Sequence, residues 1–98
     1  MKIYKIDNKP FRYLGQCDKI RCGNPENNSK WNKMIEDHVE VSMEEFMSQC
    51  DWRELVDEDE TDLSNFGHND TYFAKSMWGD QECYYLATGG FEFIFVRE

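Results

Sequence analysis

The stretch from Thr71 to Arg97 constrains the fold more than any other part of the chain. Three runs, Thr71 to Trp78, Gln81 to Thr88 and Phe91 to Arg97, are rich in aromatic and β-branched residues, and the dipeptides Gly79-Asp80 and Gly89-Gly90 divide them. Two-residue hairpin loops require positive φ at their central positions, which Gly and Asp tolerate. Strands joined by two such loops are antiparallel neighbours, so the sequence predicts a β-meander. In the third run Phe91, Phe93 and Phe95 alternate on one face, while Ile94 and Val96 make the opposite face apolar as well. A strand apolar on both faces is central in its sheet, or covered by a helix on one side.

Upstream, residues 2–6 and 11–16 read as two short strands joined by the polar turn Asp7-Asn8-Lys9-Pro10, a hairpin able to join the meander. Gln16 to Ser29 reads as a loop, because Gly23, Asn24, Pro25, Asn27 and Asn28 are breakers. Asn24 before Pro25, or Ser29, can cap a helix in which Trp31, Met34, Ile35 and His38 recur at helical spacing. Val39 and Val41 form a brief extended link. Ser42-Met43-Glu44-Glu45 is a capping box, and Met43, Phe46, Met47 and Cys50 fall on one helical face. That register fails past Cys50, where the in-phase positions are Arg53, Glu54 and Asp57. A break near Asp51, capping a short second segment with Trp52, Leu55 and Val56, is therefore expected. Residues 57–70 read as an acidic, polar loop anchored by Leu63 and Phe66. Ninety-eight residues are too few for two cores. The expectation is one α+β domain over residues 1–98, an antiparallel meander with two or three short helices packed on one face.

Charge is distributed unevenly along this chain. From Glu36 to Asp62 there are twelve carboxylates and one basic residue, Arg53, a net of −11 against −9 for the whole protein. The first 35 residues carry eight Lys or Arg and three acids, a net of +5. Surfaces that serve solubility intersperse both signs; a nearly unmixed block repels itself but creates a field that speeds encounter with basic partners. Glu45 and Glu54 are assigned to capping, as is Asp51. The partner-binding candidates are Glu36, Asp37, Glu40, Glu44, Asp57, Glu58, Asp59, Glu60 and Asp62. Carboxylates three or four positions apart on a helix stand roughly 5–6 Å from each other, close enough to engage neighbouring Lys and Arg in a groove built for nucleic-acid phosphates.

Other chemistries fit less well. Asp57, Asp59 and Thr61 match positions 1, 3 and 5 of an EF-hand loop, but Asp62 stands where Gly is needed and His68 where Glu is needed. Cys17 and Cys22 look like half a metal knuckle, with Cys50, Cys83, His38 and His68 as further candidates, yet structural zinc prefers two close pairs; free thiols or a labile disulfide are the simpler expectation. No nucleophile elbow or phosphate loop is present, and His38 on an apolar stripe reads as a core-edge residue. No catalytic residue, cofactor or metal is expected. The many aromatic residues lack the basic groove of a single-strand binder, and the net negative charge opposes direct contact with nucleic acid or anionic lipid. No apolar run approaches a membrane span and no export signal is visible, so a cytoplasmic, intracellular protein is expected.

By analogy of type, small acidic proteins without catalytic motifs resemble the inhibitors that phages and mobile elements deploy against host restriction or CRISPR systems. The first expectation is thus a non-catalytic nucleic-acid mimic, acting in the host cytoplasm if phage-encoded and binding the basic, nucleic-acid-binding surface of a defence enzyme. The alternatives are a protein–protein interaction module using an aromatic and Met-rich surface, and a small zinc-stabilised domain.

Overall fold

The computed structural model describes residues 9–51, 71–88 and 90–97. The meander is present with nearly the expected limits. Strands β3 (Tyr72–Trp78), β4 (Gln81–Thr88) and β5 (Phe91–Arg97) pair antiparallel in sequence. Trp78 pairs with Gln81 across Gly79-Asp80, and Gly79 takes the positive φ of 67° that such a turn demands. Strand β1 (Phe11–Gln16) adds to the far side of β5, and β2 (Val39–Glu40) to the outer side of β3, giving a five-stranded sheet in the order β1-β5-β4-β3-β2. The fold class is α+β with antiparallel strands, as expected. The predicted strand at 2–6 lies outside the described residues, as do the segment after Asp51 and the loop at 57–70.

Three helices accompany the sheet among the described residues: α1 (Cys17–Gly23), α2 (Asn27–Asp37) and α3 (Met43–Gln49). The expectation of a loop from Gln16 to Ser29 is therefore corrected. The asparagines read as breakers instead secure the corner between α1 and α2. Asn27 donates its side-chain amide to the Ile20 carbonyl at 3.1 Å, and the Asn24 side chain accepts from the Glu26 N–H at 3.0 Å. Ser29 lies within α2 and caps nothing. At the start of α3 the Ser42 hydroxyl accepts from the Glu45 N–H at 3.1 Å, and the helix stops at Gln49, before the break expected near Asp51.

The helices lie on both faces of the sheet, which corrects the expectation of one face. Alternation along β4 explains why. Tyr84 and Leu86 join Phe11, Phe46, Met47, Cys50, Phe73 and Phe95 in a core beneath α3. Cys83 and Tyr85 point the other way, into a core with Cys17, Met34, Ala74, Trp78 and Ile94 beneath α1 and α2. Phe46 sits against Phe73, Tyr84 and Phe95 with ring centroids 5.0, 6.3 and 5.1 Å away. On the opposite face the Ser76 hydroxyl donates to the Met34 carbonyl at 2.8 Å, fixing α2 to β3. The doubly apolar β5 is thus both internal in the sheet and covered on each side.

Candidate interaction surface

The described part of the acidic block runs along one edge of the sheet, from the end of α2 through β2 into α3. His38 ends α2 in an extended conformation; its ring contacts the Ile35 carbonyl and meets Tyr72 edge-on at 5.6 Å. This is the core-edge role expected of it, and it turns the chain onto the sheet edge. Glu36, Asp37, Glu40 and Glu44 are all exposed there. Asp37 makes a surface pair with Lys33 at 3.3 Å. Asp57, Glu58, Asp59, Glu60 and Asp62 lie outside the described residues.

Two other acids of the block are used by the fold, in ways the sequence did not announce. Glu45 does hold its capping position, but its carboxylate accepts from the Tyr84 hydroxyl at 2.8 Å and lies 3.8 Å from the Lys75 ammonium. Asp51 is buried, 6% exposed, and pairs with Arg12 at 3.5 Å, while its N–H donates to the Phe11 carbonyl at 2.8 Å. Both contacts join residues about 40 positions apart, so no local pattern signals them. The phenols of Tyr84 and Tyr85 are pushed up first by burial, then by hydrogen bonds to Glu45 and Glu92 respectively.

Beside β2 a groove of about 390 Å³ opens between the acidic edge and the β3–β4 hairpin. Val39, Met77, Phe11 and Tyr84 supply its apolar lining, and Asp37, Lys75, Glu82 and Arg97 its charges. Val39 is 58% exposed, although alternation directs it toward this groove. At the far side of the sheet, Phe91 is 55% exposed and stacks on Phe93 with centroids 6.5 Å apart; Tyr13 meets Phe93 at 6.2 Å. Met34 and Met47 belong to the cores, so this second surface is aromatic rather than Met-rich.

The four cysteines are free thiols. Cys17 is buried and Cys22 exposed on α1, so the two do not converge as a knuckle. Burial pushes the Cys17 and Cys83 thiols up to about 12 and raises Cys50 as well. Among the described residues no group of three or more His, Cys, Asp or Glu is placed to hold a metal ion, and no helix is long and apolar enough to cross a membrane.

Comparison with protein families, curated proteins and solved structures finds no match.

Proposed function

We propose that this protein is a non-catalytic binder of a basic protein surface, and that it acts by occupying a site another protein keeps for nucleic acid. A phage-type inhibitor of a host restriction or CRISPR enzyme is the biological setting that suits such a mimic. One observation carries the reading. Within the acidic block, Glu45 and Asp51 are turned to structural use, whereas Glu36, Asp37, Glu40 and Glu44 project from three successive elements along one edge. Self-repulsion makes such a concentration unfavourable for folding, and its compensating property is attraction of Lys- and Arg-rich surfaces.

The test is affinity capture from a cell lysate with the parent protein and with a variant carrying Glu36→Gln, Asp37→Asn, Glu40→Gln and Glu44→Gln. The expected result is a partner held by the parent at low salt, lost by the variant, and displaced by added duplex DNA. A partner held equally by both proteins and indifferent to DNA would overturn the proposal. A second reading is favoured by the exposed Phe91–Phe93 stack, an apolar anchor of the kind that dominates protein interfaces. Binding through it would persist at high salt and be lost on Phe91→Ser instead.

A further inference from the structure

The register of β2 defines what its outer side presents. Val39 pairs with Lys75 and Glu40 with Ala74, and the Val41 N–H donates to the Phe73 carbonyl at 2.9 Å. In an antiparallel ladder hydrogen-bonded and non-hydrogen-bonded pairs alternate. Val41–Phe73 and Val39–Lys75 are therefore hydrogen-bonded pairs, and the N–H and C=O of Glu40 point away from β3. The side chains alternate as well: Val39 faces the groove with Met77, whereas Glu40 faces the side of α2 and Tyr72.

We infer that the acidic edge engages its partner by strand addition, taking an extended segment in which basic and apolar side chains alternate. This mode presupposes that the acidic edge meets a basic partner, as proposed above. A segment laid beside β2 exchanges hydrogen bonds with the Glu40 backbone, and its alternate side chains fall on opposite faces. One apolar side chain then enters the groove beside Val39 and Met77, while its Lys or Arg neighbours face Glu40 and the nearby Glu36. A very short, charged edge strand is also the usual means of preventing pairing. An exposed valine beside an apolar-lined groove runs against that purpose, and the carboxylates select against uncharged or acidic strands rather than against all strands.

The test is a titration of the intact protein, followed by backbone NMR and amide hydrogen exchange, with a short end-blocked peptide alternating Lys and Val. Slowed exchange at the Glu40 amide, with shifts at Val39 and Met77, is expected. N-methylation of the peptide's alternate amides keeps its charge but removes half of its donors, and is expected to weaken binding roughly tenfold. A Lys–Ser peptide of equal charge is expected to bind more weakly than the Lys–Val peptide. Equal binding of the N-methylated peptide, or unchanged exchange at Glu40, overturns strand addition. Lysate capture by the parent protein and not by its neutralised variant would in that case leave the acidic-edge function standing. Glu40 protection that appears without peptide and grows with protein concentration would assign the edge to a second copy of this chain, and equally overturns the inference.

Discussion

At the scale of single residues, the cysteines illustrate how burial decides chemistry. Cys17, Cys50 and Cys83 are packed into the two cores, and a thiolate there would lose its hydration without gaining a partner. A water-soluble thiol reagent at neutral pH should therefore modify Cys22 and leave the other three until the protein unfolds. The same burial sets an alkaline limit. The unfolded thiols titrate near 9.0, whereas folded Cys17 and Cys83 hold their protons to about 12. Across that window the unfolded chain binds fewer protons than the folded one, so stability falls as pH rises, by up to about 1.4 kcal/mol per unit for each thiol. Below 9.0 both states are protonated and these groups add no pH dependence. Denaturation midpoints measured between about pH 9 and 11 should decline less steeply for the Cys17→Ala, Cys83→Ala double variant than for the parent. Parallel declines would show that these thiols do not set the limit.

At the scale of elements, what was legible in the sequence was what is encoded locally. The β3–β4–β5 meander follows from alternation and two glycine-containing turns, and α3 from a capping box followed by a stripe through Phe46, Met47 and Cys50. Helix α1 was not legible. It has only Cys17 and Ile20 as an apolar pair, no side-chain cap, and a sequence dense in turn formers. Its position depends on Gly15, where the register of β1 against β5 slips between Tyr13 and Gly15 and the strand turns into the helix. Gly15 has φ 154°, and a Cβ there would lie 3.2 Å from the Ile20 Cδ1 and Cγ1 atoms. Gly15→Ala should accordingly cost about 1–3 kcal/mol, from backbone strain together with overpacking of Ile20. Urea denaturation measures this, and an unchanged midpoint would show that the bulge does not position α1. The roles of Glu45 and Asp51 escaped sequence reading for a related reason: Tyr84 and Arg12 meet them only once the sheet has assembled.

At the scale of the whole molecule, charge and fold are separable, and this separation yields the last prediction. The two cores are built from apolar and aromatic side chains on opposite faces of one sheet, and Glu36, Asp37, Glu40 and Glu44 contribute to neither. Their number was evident from the sequence, but their gathering on one edge required knowing that α2, β2 and α3 follow the sheet margin. Removing four charges from a molecule of net −9 relieves repulsion, and the surface Lys33–Asp37 pair lost with them is worth only about 0–1 kcal/mol. The variant with Gln at 36, 40 and 44 and Asn at 37 should melt at or above the parent's temperature in low salt. Added sodium chloride shortens the screening length from about 30 Å at 0.01 M to about 8 Å at 0.15 M, so it should stabilise the parent more than the variant and narrow the gap between them. Glu45→Gln serves as the contrast, because it weakens a charged hydrogen bond from Tyr84 and the attraction to Lys75, and it should destabilise at every salt concentration. If the four exposed substitutions destabilise as Glu45→Gln does, the edge acids are part of the scaffold, and their availability to a basic partner is lost as an argument for function.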